Sequence, residues 1–159
     1  MGSITRTEWE AWGSLIVLAA VYWWFQMRML DGFTIVDQPA GRLLGIFFVV
    51  IALTTVAEIL IAAAAPGGRK IAKDERDHAI EARASQNERL FLIVAVYVLI
   101  WQALWEGAIA GHVFPKIDLT SLPVLFFWLL TILFAGEMVK RISTIWLYRT
   151  QSAASESAA

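Results

Sequence analysis

The chain has 159 residues, of which 58% are hydrophobic and 17% charged, and its mean hydropathy is positive. A soluble domain of this size could not bury so much apolar surface, so the composition predicts an integral membrane protein. The chain contains no cysteine, which excludes disulfides, thiolate catalysis and thiolate-bound metal. Its net charge of -1, without a basic tail or an aromatic-basic surface, predicts no direct binding of nucleic acid.

Four apolar runs are long enough to cross the roughly 30 Å hydrocarbon core of a bilayer as helices. They cover residues 9–29, 43–65, 90–110 and 122–139. Backbone groups in lipid must be hydrogen-bonded within their own segment, so each run is predicted to be helical. The sequence therefore predicts an all-α membrane protein. Residues 1–150 would form an up-down bundle of four transmembrane helices, and residues 151–159, which are small and polar, a disordered tail.

Lysine and arginine are distributed unevenly between the two sides of this topology. If the N-terminus is cytoplasmic, ten of the 13 lie in cytoplasmic segments, and only Arg28, Arg42 and Lys116 lie outside. This is the positive-inside pattern, and tryptophans near the ends of the runs agree with interfacial belts. Both termini are therefore predicted to be cytoplasmic.

The third and fourth helices carry boundary signals. Neither Gly nor Pro occurs between Gly68 and Gly107, so the third helix is predicted to begin in a cytoplasmic extension over residues 69–89. Ser121 and Pro123 are typical of the cap and first turn of a helix.

Three carboxylates within the spans, Glu58, Glu106 and Glu137, are candidate ion- or proton-binding residues, since an ionisable group is costly there. Glu58 and Glu137 are predicted at similar depth near the inner ends of the second and fourth helices. They could share one proton or cation. Alternatively, Glu137 reaches the headgroups, and Glu58 is neutral or hydrogen-bonded to a neighbouring helix. Glu106 is predicted near the outer interface.

The cytoplasmic extension separates its charges by face. At helical spacing one stripe is acidic and the opposite side is basic. The stripe contains Asp74, Asp77, His78 and Glu81, and the basic side Arg69, Lys73, Arg76 and Arg83. The stripe could ligate a divalent metal if further ligands joined it. Alternatively the extension contacts lipid or a partner, the candidates being Asp74, Glu75, Arg76, Asp77 and Arg83, or it is simply solvated.

No cofactor is predicted. His78 lies in the charged extension and His112 just beyond an apolar run, which argues against bis-histidine haem. All four lysines lie outside the spans or at their ends, which excludes a retinal Schiff base. The chain also lacks a phosphate-binding glycine loop or a recognisable nucleophile with its base, so no enzymatic activity is predicted.

The run Asp74-Glu75-Arg76-Asp77, with Ile80 and a charged helix entering a span, resembles the signature of a family of small, uncharacterised prokaryotic multi-pass membrane proteins. The resemblance covers residues 73–105. It implies a location in the bacterial inner membrane and no established activity, and some members look like membrane partners of small helix-turn-helix regulators.

Two functions are compatible with these features. The first is a regulatory or accessory subunit that engages a partner, or another copy of itself, through the cytoplasmic helix. The alternative is a proton- or cation-coupled transporter that uses the intramembrane carboxylates and, with only four helices, requires oligomerisation. Both predict a homo-oligomer or a membrane protein complex in the lipid bilayer.

Overall fold

The structure is a computed structural model that describes residues 6–65, 75–108 and 118–157. Within these ranges the chain is almost entirely helical. In chain order its elements are α1 (Arg6–Met29), β1 (Leu30–Asp31), β2 (Thr34–Ile35), α2 (Ala40–Ala64), α3 (Glu75–Ala108) and α4 (Leu122–Ser157).

Three helices are long and apolar enough to cross a membrane, over Ala40–Ala64, Glu75–Leu104 and Leu122–Thr150. This confirms three of the four predicted spans as candidate spans. α1 is a helix where the first span was predicted, but it is not among these three. Its tryptophans, together with Gln26 and Arg28, make its apolar stretch less hydrophobic than those of the three candidate spans.

α3 is one uninterrupted helix from Glu75 onward, as the absence of Gly and Pro predicted. Residues 69–74 of the predicted extension lie outside the described residues. α4 begins at Leu122, as Ser121 and Pro123 predicted. It differs from the prediction at its other end, because residues 151–157, predicted as disordered, continue the helix. Gln, Ala and Glu are good helix formers, and no Gly or Pro stops the helix there.

Before α4 the chain makes a short capping turn. Asp118 Oδ1 accepts hydrogen bonds from the hydroxyl of Thr120 and from its backbone N–H, the latter at 3.1 Å. These hydrogen bonds favour the carboxylate and lower the pKa of Asp118. The backbone oxygen of Ser121 then accepts the N–H of Leu125 at 3.0 Å, which starts the helix.

The link between α1 and α2 is a small β-hairpin that the sequence analysis did not predict. β1 and β2 are antiparallel and pair Leu30 with Ile35. Gly32 makes the turn at φ 62°, a conformation that favours glycine. Gln38 Nε2 donates to the backbone oxygen of Arg28 at 2.8 Å and so satisfies a carbonyl in the last turn of α1. Strands of two residues carry no detectable periodicity, so the pattern could not reveal them.

α1 buries one continuous face. Its buried residues recur every three or four positions, the spacing of a single helical stripe. They are Ala11, Ser14, Leu18, Val21, Phe25 and Met29. This stripe packs between α2 and α4, so that one face of α1 is covered by two neighbouring helices.

An aromatic cluster fastens α1 to α4. The Phe25 side chain is fully buried, and its ring stacks on Phe127 with a centroid separation of 5.7 Å and an interplanar angle of 18°. Phe126 and Phe134 lie at 6.2 and 6.1 Å, and Tyr22 contacts Phe134 at 5.4 Å. Such pairs are worth about 0.5–1.5 kcal/mol each beyond the area they bury.

α4 is the common neighbour of the other helices. α1 and α3 pack along it, and α2 touches it more lightly. α3 approaches α4 closely at Gly136, where an added Cβ would lie 2.7 Å from Leu92 Cδ2. Gly136 therefore sets the spacing between α3 and α4.

We expect Gly136→Ala to give a lower thermal midpoint of the detergent-solubilised protein than Gly45→Ala, because the new methyl group must displace the Leu92 side chain from the α3–α4 contact. Gly45→Ala is the matched control. Nothing lies within 4 Å of a Cβ at Gly45, so the same change should be neutral or raise the midpoint through helix propensity. Trp fluorescence during heating measures both.

Adding Leu92→Ala to Gly136→Ala removes the colliding side chain. The double variant should then lower the thermal midpoint by less than the sum of the two separate changes. Identical midpoints for Gly136→Ala and Gly45→Ala would contradict the tight α3–α4 contact.

Candidate functional site

Two of the predicted intramembrane carboxylates converge on one arginine. Arg141 Nη2 lies 3.0 Å from Glu58 Oε1 and 3.8 Å from Glu137 Oε2. Glu58 comes from α2, whereas Glu137 and Arg141 are one turn apart on α4. We call these three residues the ionic cluster.

The ionic cluster lies at the edge of a groove of about 500 Å³ between α2 and α4. The groove is lined mostly by apolar side chains, and Leu18 of α1 contributes to it. The lining contains Phe47, Val50, Ile51, Thr54, Thr55, Ile59, Leu130, Leu133 and Phe134, besides Leu18 and the ionic cluster. The charged groups are thus concentrated in one part of an otherwise apolar surface.

The cluster carries one positive and two negative formal charges when all three groups are ionised. Arg141 can balance one carboxylate, which leaves a net charge of about -1 beside the groove. Glu58 and Glu137 keep 44% and 40% of their side-chain surface exposed. Both carboxylates are therefore partly exposed, and both contribute to the lining of the groove.

Sequence reasoning placed Glu58 and Glu137 at similar depth but missed the arginine between them. It assigned Arg141 only to the cytoplasmic side of the membrane. The spacing of four residues between Glu137 and Arg141 was the signal that could have identified the pair.

The third predicted carboxylate, Glu106, is in the last turns of α3, and its side chain lies outside the described residues. It therefore takes no part in the geometry described for the cluster.

The charged half of α3 (residues 75–89) packs against α4. Ile80 is buried with Leu147 and Tyr148. The hydroxyl of Tyr148 donates a hydrogen bond to Asp77 Oδ1. Two further polar contacts join the helices: Lys140 Nζ lies 3.4 Å from Glu88 Oε2, and Asn87 Nδ2 donates to Ser143 Oγ at 3.1 Å. The charged half of α3 and the facing part of α4 therefore form a packed pair of helices.

The pairing divides the predicted acidic stripe. Asp77 is half-buried and directed to α4, whereas His78 and Glu81 are exposed. Asp74 lies outside the described residues. Within the described ranges, no group of three or more His, Asp or Glu side chains is arranged to hold a metal ion.

The residues proposed for partner or lipid contact are also placed. Glu75, Arg76 and Arg83 are exposed, while Asp77 is half-buried and accepts a hydrogen bond from Tyr148. Of the partner-contact candidates in the described part of the chain, one therefore joins α3 to α4 and three have exposed side chains.

The same end of α4 contacts the beginning of α1. Arg149 Nε lies 3.7 Å from Glu8 Oε1, and its guanidinium lies over the ring of Trp12 at 5.4 Å. Both contacts hold the first turns of α1 against α4, at the opposite end of α1 from the β-hairpin.

Comparison with protein-family models, with curated protein sequences and with solved structures finds no significant match to this chain. The candidate site is therefore argued from its own geometry.

We expect Arg141→Gln to destabilise the protein, because it leaves Glu58 and Glu137 near each other without a counter-charge. Removing one member of a fully buried pair costs about 3–5 kcal/mol. This cluster is partly exposed, so a loss of about 1–2 kcal/mol is expected. The measurement is the thermal midpoint at neutral pH.

Adding Glu58→Gln to Arg141→Gln should recover part of that loss, although Glu58→Gln alone should be destabilising. Glu58→Gln should thus lower the thermal midpoint of the wild-type protein and raise that of Arg141→Gln, and this opposite effect tests the contact. Strictly additive effects would contradict it. Asp37→Asn is the control, since Asp37 is an exposed carboxylate in the loop before α2.

Proposed function

We propose that the chain is a small polytopic membrane protein with four spans, α1 being the fourth, and with both termini in the cytoplasm of a bacterial cell. Support for α1 as a span comes from its 24 residues, about 36 Å of helix, and from its packing between α2 and α4. Support for the orientation comes from the uneven distribution of Lys and Arg.

Within this topology we propose that the protein is an oligomeric proton- or cation-coupled transporter that uses Glu58 and Glu137. The observation that carries this proposal is the contact of both carboxylates with Arg141 beside an open groove. A cluster with net charge -1 can take up one proton or monovalent cation and become neutral. Neutralisation changes the electrostatic cost of exposing the site to lipid, which is the property that coupled transport requires.

The cluster also has a suitable depth. Glu58 is about 27 Å along α2 from Ala40, and Glu137 is about 22 Å along α4 from Leu122. With both helices running inward, the cluster lies toward the cytoplasmic side. Four helices rarely enclose a complete pathway, so a second copy would complete it.

We expect protein reconstituted on a solid-supported membrane to give a transient current when the proton or sodium concentration is raised in a step. The current arises because a cation enters the cluster and moves charge across part of the bilayer. In the double variant Glu58→Gln with Glu137→Gln the current should fall to the level of protein-free membranes.

Asp37→Asn serves as the control and should keep the full current, because Asp37 is a carboxylate remote from the groove. Equal currents in the wild-type protein and the double variant would exclude a role for the cluster in transport.

A regulatory or accessory role is the second candidate, and it is favoured by the pairing of α3 with α4. Ile80 is only 1% exposed, so the charged half of α3 is held in place against α4 before any partner binds. A rigid surface lowers the entropic cost of binding. The exposed residues of this surface include Glu75, Arg76 and Arg83.

We expect the double variant His78→Ala with Arg83→Ala to lose a co-purifying polypeptide, if the protein is an accessory subunit, because both side chains are exposed on the helix pair. Native mass spectrometry of the protein released from its own membrane measures this loss. Gln86→Ala, another exposed position on α3, is the control and should retain the partner. An unchanged mass spectrum in the double variant would contradict this role.

A further inference from the structure

We propose that the groove between α2 and α4 binds a hydrophobic organic monocation. Its charged group would lie at the ionic cluster and its apolar body along the groove. This inference rests on the proposed transport function and names the class of substrate for the same site.

The lining of the groove selects for an apolar body. Side chains such as Phe47, Val50, Leu130 and Phe134 form its wall, and they offer neither donors nor acceptors. The hydroxyl of Thr54 is already used, since it donates to the backbone oxygen of Val50 at 2.9 Å. A volume of about 500 Å³ lies within the range of small-molecule sites.

The charge of the cluster selects for a cation. Arg141 is engaged with Glu58 and Glu137 together, so an added anion would meet an excess of carboxylate. An added monocation would bring the cluster to neutrality. Glu137 is the freer of the two carboxylates, because its 3.8 Å separation from Arg141 exceeds the 3.0 Å separation of Glu58.

The same lining disfavours a divalent metal ion. Calcium and magnesium require six or more oxygen ligands, and the polar atoms of this groove lie mainly in one cluster. An organic cation spreads its charge over a larger volume and is more weakly hydrated. It can therefore exchange water for apolar contacts on most sides and for a carboxylate on one side.

The experiment uses two probes of the same shape and opposite charge, tetraphenylphosphonium and tetraphenylborate. Equilibrium dialysis of the purified full-length protein in detergent micelles, with protein-free micelles as the baseline, measures binding of each. We expect saturable binding of tetraphenylphosphonium and no saturable binding of tetraphenylborate.

Two variants separate the contributions of charge and of space. Glu137→Gln should weaken tetraphenylphosphonium binding at least tenfold, because the cluster becomes neutral without it. Thr55→Trp should abolish binding by filling the groove without changing its charge, since Thr55 is an exposed residue of the lining. Asp37→Asn should bind as the wild-type protein does.

Thermal midpoints near that of the wild-type protein show that each variant is folded. Glu58→Gln replaces Glu137→Gln if the latter does not fold.

Saturable binding of both probes, or cation binding that survives Glu137→Gln, Glu58→Gln and Thr55→Trp, would overturn the inference. Step currents that depend on the cluster, without tetraphenylphosphonium binding, would retain the proposed transport function and reject this substrate class. Tetraphenylphosphonium binding that depends on the cluster, without step currents, would support the site and reject transport.

Discussion

The aromatic packing of Phe25 of α1 against α4 is the contact on which the remaining arrangement depends. Phe25 has no exposed surface, and rings from both helices surround it. α1 also packs on α2, so fixing α1 to α4 brings α2 close to α4 as well. Glu58 can reach Arg141 only because of that proximity. In a lipid environment such contacts stabilise the fold through close packing, because moving an apolar side chain from lipid into a helix interface gains no hydrophobic free energy.

The four helices differ in how much of their surface the protein itself covers. α1 is enclosed on one face by two helices. The most apolar stretch of α3, by contrast, contains no buried residue. The charged half of α3 shows the opposite behaviour, because Ile80 and Ala84 are buried there. Full burial on α3 is thus confined to its charged half, whereas its apolar part contacts α4 along one partly covered face, as at Leu92, and exposes the rest.

The ionic cluster joins two carboxylates to a single guanidinium, so its formal charges are unequal in number. A one-to-one pair between α2 and α4 would be neutral and complete. The second carboxylate, Glu137, adds a negative charge that Arg141 does not balance. Glu137 also lines the open groove.

The sequence by itself determined the helical segments, since backbone groups in lipid must be satisfied within each apolar run. It also placed Glu58 and Glu137 at similar depth, because position along a helix gives depth directly. Only the tertiary structure decided which helices are neighbours. The helix surfaces are nearly uniformly apolar, so no pattern in the sequence identifies the face that packs against a given helix. The joining of the two carboxylates by Arg141, the division of the acidic stripe by Tyr148, and the hairpin between α1 and α2 all depend on those contacts between elements.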